Sequence, residues 1–255
     1  MSQKAVFLAA GMGTRLLPLT ENTHKCLTEV NNVPIVINAL SNLHSVGVTE
    51  TVMVVGYLAD NVKKTIGDMY ENMNIAYVEN NLYKDTNTSY SLRLGLEKLK
   101  EYDTVYILEG DVFFEKSILE KLYLNSCPNI SVLEPYNESL DGTFVTINDN
   151  SYITDWIHKN DRAKDFTFDN KYKTVNIHKF SKEFIENTLL PVLNKMNNRE
   201  EQRNPLEKAM KIIVNQNSHI IYGMNTDGAK WVEIDDINDL KLAKKVFGGE
   251  ISGEN

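Results

Sequence analysis

An α/β fold, with a mixed, mostly parallel sheet flanked by helices, is what this 255-residue sequence predicts. Three observations carry the prediction. From residue 1 to about 125, apolar and β-branched runs alternate with stretches of helical periodicity, the pattern of βαβ units. The first run, Lys4 to Ala9, ends in Gly11-Met12-Gly13, a turn with little side chain to block a ligand's approach. After Cys127-Pro128 the runs shorten and partly alternate, which suits a β-rich extension of the sheet.

The elements follow in order. Pro34 to Val46 places Ile35, Ala39, Leu40 and Leu43 at helical spacing, with proline near the start. Thr51–Val55 is a β-branched strand run, and Asp60 to Ile66 reads as a short helix capped by Asp60. Ile75–Val78 is a third strand. Thr88 to Lys100 is a helix with Leu92, Leu96 and Leu99 on one face. Asp103–Leu108 is a fourth strand, and Ser117–Leu124 a helix. In the second half, Ile130–Leu133, Thr143–Ile147, Lys173–Phe180 and His219–Tyr222 read as strands. They surround a polar stretch, Asn148 to Asn170, with no clear period. Ser181–Met196 is helical with an interruption near Pro191, and Leu206–Val214 and Ile237–Phe247 are helices. No repeat or low-complexity linker divides the chain. A single unit over 1–248 is expected, with halves at 1–125 and 126–248 and a loose tail at 249–255.

Composition narrows the function. The apolar share, 42%, is ordinary for a globular chain. A net charge of −8 argues against nucleic acid as a partner. Cys26 and Cys127 lie far apart and make neither a disulfide framework nor a zinc spacing. The first residues run straight into a strand, and no apolar run approaches a membrane span. A cytoplasmic protein that does not engage membranes is the expectation.

Chemistry concentrates after the first strand. Two glycines let successive backbone N–H groups turn inward into a concavity that suits oxyanions. Arg15 and Lys25 add fixed charge beside it. The dinucleotide fingerprint is excluded, because its third glycine position is Leu16 and the next strand ends Val54-Val55-Gly56-Tyr57 without a carboxylate. The P-loop is excluded by the lack of Gly-Lys-Ser/Thr. The stretch therefore reads as a nucleoside triphosphate site. Ligands bind at the carboxyl ends of parallel strands, and the glycine loop, Gly56-Tyr57 and Glu109-Gly110-Asp111 all fall there.

Leu-Ala-Ala-Gly-x-Gly-Thr-Arg-Leu-x-Pro-x-Thr, followed by Lys25-Cys26-Leu27, resembles the signature of the sugar-phosphate nucleotidyltransferases, a Rossmann-like superfamily. Within it the chain resembles the cytidylyltransferases that act on phosphocholine and on 2-aminoethylphosphonate. One departure is His24, where those proteins usually carry a proline that stiffens the loop. The resemblance implies a Mg²⁺-dependent transfer of CMP from CTP to a small phosphate or phosphonate, for decoration of cell-surface glycan or lipid. Arg15 and Lys25 would be the catalytic cations. Leu8, Ala9, Ala10, Gly11, Met12, Gly13, Thr14 and Gly110 would surround the nucleotide, and Asn80, Asn87, Thr88 and Ser91 its base. Asp111 and Asp235 would hold the metal, with Glu109 nearby and Asp236 capping the following helix. Asp141, Trp156, Lys173 and Glu233 would bind the acceptor, Trp156 through its ring face and Lys173 through the phosphoryl oxygens; Asp155 is an alternative to Asp141 for a substrate ammonium. A monomer or homodimer is expected. A sugar-1-phosphate nucleotidyltransferase using UTP or dTTP is the competing enzyme class, and a regulatory homologue that only senses a nucleotide the non-enzyme alternative.

Overall fold

A computed structural model describes residues 2–198, 200–217 and 219–248. The first half is a run of strand–helix units. β1 (Gln3–Ala9) leads through two short 3₁₀ turns and the hairpin β2 (Glu29–Val30)–β3 (Val33–Pro34) into α1 (Ile35–Ser45). β4 (Glu50–Val55), α2 (Ala59–Ile66), β5 (Met69–Tyr70), β6 (Met73–Glu79), α3 (Thr88–Lys98) and β7 (Thr104–Glu109) follow. A short strand, β8 (Val112–Phe114), then precedes α4 (Lys116–Leu124). The second half supplies β9 (Ile130–Pro135), β10 (Phe144–Ile147), β11 (Ile153–Ile157) and the ten-residue β12 (Tyr172–Ser181). After them come α5 (Lys182–Phe184), α6 (Leu190–Lys195), α7 (Leu206–Gln216), β13 (Tyr222–Asn225), β14 (Trp231–Glu233) and α8 (Ile237–Phe247).

The main sheet runs β11-β10-β12-β7-β1-β4-β6-β5, with β9 and β13 joined through β12. β1 is central and parallel to both β4 and β7. Its residues alternate between two cores: Ala5, Phe7 and Ala9 face one, Val6, Leu8 and Ala10 the other. Cover on both faces is why the first strand reads as an unbroken apolar run. α1 and α4 pack on one face, α3 and α7 on the other. The second half is antiparallel where it joins: β12 pairs β7, β10 and β9 antiparallel. The β-rich extension thus continues the nucleotide-side sheet.

Two expectations need correction, and two features the sequence left coarse are resolved. His219–Tyr222 is not the strand; β13 begins at Tyr222 because its parallel pairing with β9, from Ile130 to Leu133, fixes the register three residues later. Ile221 stays fully buried as the apolar anchor of that approach. Asp60 does not cap α2. Leu58 occupies the N-cap in a left-handed conformation, and Asp60 sits in the first turn, where its charge suits the helix dipole. The interruption near Pro191 is a π turn, Ile185–Leu189, inside an otherwise continuous helical stretch. Proline has no N–H to donate and crowds the carbonyl four residues earlier, which opens the turn just before it. The unassigned stretch 148–170 contains β11, which completes the sheet edge against β10. The tail expected at 249–255 lies outside the described residues.

Candidate active site

The site forms where β1, β7 and β14 end. Gly13 takes a left-handed φ of 60°, and its carbonyl accepts the Thr20 hydroxyl at 2.9 Å, folding the loop back on itself. Gly110 is required by close approach: a Cβ there would lie 2.5 Å from the Leu8 carbonyl oxygen. Its N–H donates to that oxygen at 2.9 Å, and the turn delivers Asp111 to the rim.

Asp235 arrives from the opposite end of the chain. The Asp236 carboxylate caps α8, accepting from the Asn238 and Asp239 N–H groups. Asp239 replies with one oxygen that accepts from the backbone N–H of both Asp235 and Asp236, each at 2.9 Å. The Ile234 N–H donates to the Asp111 carbonyl at 2.8 Å, which ties the two segments together.

Lys25 joins the two aspartates. Its Nζ lies 2.9 Å from Asp111 Oδ2 and 2.9 Å from Asp235 Oδ1. Arg15 reaches the same Asp235 oxygen at 2.8 Å, with a side chain that is 64% exposed. Burial works against the Lys25 ammonium, but the two carboxylates outweigh it and push its pKa above the ordinary lysine range. Burial likewise works against the Asp235 carboxylate, and Lys25 and Arg15 overcome it, holding the group below its usual value.

A second ion pair lies alongside. Lys173, 3% exposed, donates to Glu233 Oε2 at 2.8 Å. A bulge in β12 puts Asn176 at a φ of 62°, and its amide turns toward Glu109 and Glu233, 3.4 Å from each. Burial raises the Glu109 carboxyl well above the usual range, reinforced by Glu207, Asp111 and Glu233. Burial also raises Glu233, against the pull of Lys173.

These groups fit a divalent cation. One ligand oxygen each from Asp111, Glu233 and Asp235 lie within 4.8 Å of one another, all hard carboxylate donors. Asp111 Oδ1 is buried without a hydrogen-bond partner, an acceptor that a cation would satisfy.

A cavity of about 330 Å³ opens over this cluster. Leu8, Ala9, Ala10, Gly11, Gly13, Thr14, Arg15, Lys25, Asn80, Asn87, Thr88, Ser91, Gly110, Asp111 and Asp235 all line it. Met12 does not; its side chain is exposed beside the loop. His24, Tyr83, Thr86 and Glu109 also line it, and the last carries a carboxylate that sequence reasoning set only nearby. Asn87 is committed to structure. Its Oδ1 accepts the Thr88 N–H at the start of α3 and its Nδ2 donates to the Arg203 carbonyl.

His24 replaces the stiffening proline by a different device. Its Nδ1 accepts the Cys26 N–H at 3.1 Å and caps the 3₁₀ turn Lys25–Leu27. Burial lowers the ring to about 4; the nearby Gly11 backbone opposes this without hydrogen-bonding Nε2, which has no partner.

A second cavity, about 600 Å³, adjoins through Arg15 and Asp235 and is lined by Asp141, Lys173 and Glu233. Trp156 is not there. It is 1% exposed inside the core formed by Val145, Ile153, Phe180 and α7, so its ring face meets no ligand. The stretch around it shows no clear period, so the sequence does not say which side chains of β11 are covered. Asp155 is partly exposed, 4.0 Å from Lys211 of α7, and lines neither cavity. Asn176 closes a segment, Lys171 to Asn176, that resembles the phosphonate-directed cytidylyltransferases, but a left-handed bulge residue has no periodicity to mark it as a site residue.

Comparison with known proteins bears on the family and the fold. A family model described as nucleotidyl transferase matches residues 4–126. The chain is 32% identical over 242 residues to the CMP-5'-(3-aminopropyl)phosphonate synthase of Streptomyces rubellomurinus, covering 94% of this chain and 38% of that protein. It is 31% identical over 149 residues to the choline-phosphate cytidylyltransferase of Streptococcus pneumoniae, covering 58% of this chain and 60% of the relative. The chain thus spans about two fifths and three fifths of these relatives. Among solved structures, the inositol-1-phosphate CTP transferase from T. maritima superposes with a TM-score of 0.75 at 21% identity, over 97% of both chains. The S. pneumoniae CTP:phosphocholine cytidylyltransferase superposes at 0.74 with 24% identity, over 96% of this chain and 99% of that one. Residues 4–126 thus form a nucleotidyl transferase domain, and the chain is similar to relatives of the cytidylyltransferase branch.

Proposed function

We propose that the protein is a cytidylyltransferase, joining CMP from CTP to a small phosphate or phosphonate that carries an amine. The observation behind it is the convergence of Arg15 and Lys25 on Asp111 and Asp235 beside the glycine loop, in one cavity. Similarity to relatives named for CMP and for cytidylyl transfer supports the choice of nucleotide.

The chemistry needs no nucleophilic side chain. An acceptor oxyanion attacks the α-phosphorus of CTP, a new P–O bond forms, the α–β bridge breaks, and pyrophosphate leaves with the electron pair. The enzyme must bring two anions together in line and offset their repulsion. Lys25 neutralises charge at the reacting phosphorus, and exposed Arg15 swings to the departing pyrophosphate. Mg²⁺ held by Asp111 and Asp235, with Glu233 close by, would screen the triphosphate oxygens. On the acceptor side, Lys173 meets the phosphoryl oxygens and Asp141 takes the ammonium. Asp141 is suited to that role: the Gly142 N–H and Arg162 hold its carboxyl below the usual range, and it is well exposed at the cavity mouth. The location expected for such an enzyme is the cytoplasm; no helix among the described residues is long and apolar enough to cross a membrane.

Thermal melting tests the nucleotide assignment. CTP with Mg²⁺ should raise the melting temperature while NAD leaves it unchanged, since a ligand of the native state must stabilise it. A shift with NAD and none with CTP would overturn the reading.

A further inference from the structure

The backbone between the first strand and Arg15 is held at two points. The Ala10 carbonyl accepts the Tyr57 N–H at 3.1 Å. The Gly13 carbonyl accepts the Leu16 N–H at 3.0 Å and the Thr20 hydroxyl at 2.9 Å. Between them, the Gly11 and Met12 carbonyls accept from no donor among the described residues. Gly11 also has space around it, since a Cβ there would meet nothing within 4 Å. The Gly11–Met12 peptide is therefore the part of the loop with room to turn.

His24 stands beside that peptide. It is 2% exposed and lines the first cavity. Its Nδ1 accepts the Cys26 N–H at 3.1 Å, so the neutral ring carries its hydrogen on Nε2. Nε2 is buried and has no hydrogen-bond partner. The Gly11 backbone acts on the ring and favours its protonated form. Only a carbonyl does that, because an acceptor stabilises the imidazolium and an N–H opposes it. A buried donor without an acceptor thus stands next to a carbonyl without a donor.

We propose that His24 is a latch for this loop: its Nε2–H closes on the Gly11 carbonyl when a triphosphate seats, and so aims the Met12 N–H at the phosphates that leave as pyrophosphate. The inference rests on the triphosphate reading of the cavity and concerns how the loop is set for it. The direction follows from the peptide plane. In a trans peptide the carbonyl and the next N–H point opposite ways, so drawing the Gly11 carbonyl toward His24 turns the Met12 N–H into the loop's concavity. The closed bond also satisfies a donor that is otherwise buried and unpaired, which favours closure. The proline usual at this position in the proteins the chain resembles stiffens the loop but has no hydrogen to give. His24 ties the stiffening to the ligand instead. It is a positioning residue, since its buried Nε2 acts through the Gly11–Met12 peptide and not on the nucleotide.

Two substitutions separate the ring nitrogens. His24→Asn keeps an acceptor for the Cys26 N–H, as asparagine does at helix starts, and removes the Nε2 donor. His24→Gln places an amide N–H near the Nε2 position and gives up the cap. The readout is isothermal titration of the whole chain with CTP and with CMP, which lacks the β and γ phosphates, in Mg²⁺ and without acceptor. His24→Asn should weaken CTP about threefold to tenfold, the range of one hydrogen bond, and leave CMP unchanged. His24→Gln should bind CTP like the unsubstituted chain. In NMR of the imidazole nitrogens and their hydrogens, the His24 Nε2 proton should move downfield with CTP and stay in place with CMP. An unchanged CTP affinity in His24→Asn would overturn the latch and leave the proposed function standing. So would equal weakening of CTP and CMP, or a normal His24→Asn beside a weakened His24→Gln, which would make the cap the whole effect. An Nε2 proton that CTP does not move would overturn the latch without any variant. The expected titrations, with no pyrophosphate released to any acceptor, would sink the proposed function and leave the latch. A chain that binds no CTP would remove both.

Discussion

Asp111 and Asp235, from distant parts of the chain, share one ammonium: Lys25 Nζ lies 2.9 Å from an oxygen of each. The two carboxylates are thereby held together by a cation the chain itself supplies.

Removing that charge should stop the chemistry. Lys25→Ala and Asp111→Asn should each lower kcat by at least about a hundredfold, the scale for losing one preorganised charge at a transition state. Near-normal turnover from both variants, measured as pyrophosphate release, would refute the catalytic assignment while leaving the fold intact.

Asp239 lines the second cavity, and its carboxylate holds the backbone N–H of Asp235. Asp239→Ala should cost about 1 kcal/mol of stability through the lost cap. It should also raise the Mg²⁺ concentration needed for half-maximal rate, because Asp235 is no longer fixed. Asp239→Asn, which keeps an acceptor oxygen, should restore most of both. A Mg²⁺ dependence unchanged in Asp239→Ala would show that the cap serves α8 alone.

Trp156 belongs to the core. Trp156→Ala should destabilise the protein by about 3 to 5 kcal/mol, as large aromatic truncations do. The milder Trp156→Phe should leave the acceptor KM unchanged. An acceptor KM raised tenfold or more, about 1.4 kcal/mol of binding, with the melting temperature preserved, would return Trp156 to the acceptor site.

Two buried histidines set an acid limit. Burial lowers His178 to about 3, and its Nδ1 shares a hydrogen bond with the Ser131 hydroxyl at 2.8 Å. His24 is lowered to about 4. Between these values and the ordinary histidine pKa of 6.5, the unfolded chain binds more protons than the native one. Stability therefore falls as pH drops below 6.5, each histidine adding a slope of up to about 1.4 kcal/mol per pH unit. The raised Glu109 and Glu233 act with opposite sign, since the native state protonates first. A difference measurement separates them: His178→Gln should show a shallower fall between pH 4.5 and 6.5 than the unsubstituted chain. Parallel denaturation curves for the two proteins would contradict the assignment.

The nucleotide half was legible because its signals are local. Apolar runs, the Gly11–Gly13 turn and the Arg15–Lys25 spacing each lie within a few residues of what they shape. The pairing of Asp111 with Asp235 came only from resemblance, because it depends on β14 lying antiparallel to β8, a contact no local pattern encodes. The same limit explains Trp156 and Asn176. Whether β11 buries Trp156 is decided by α7 packing on that face, and Asn176 owes its place to a bulge between two pairings of β12.

The most direct test is pyrophosphate release over a grid of nucleoside triphosphates against phosphocholine, 2-aminoethylphosphonate, phosphoglutamine and glucose-1-phosphate, all with Mg²⁺. The account predicts release with CTP and one small amine-bearing phosphate or phosphonate. Release confined to UTP or dTTP with glucose-1-phosphate would contradict it and move the protein to the sugar-directed enzymes.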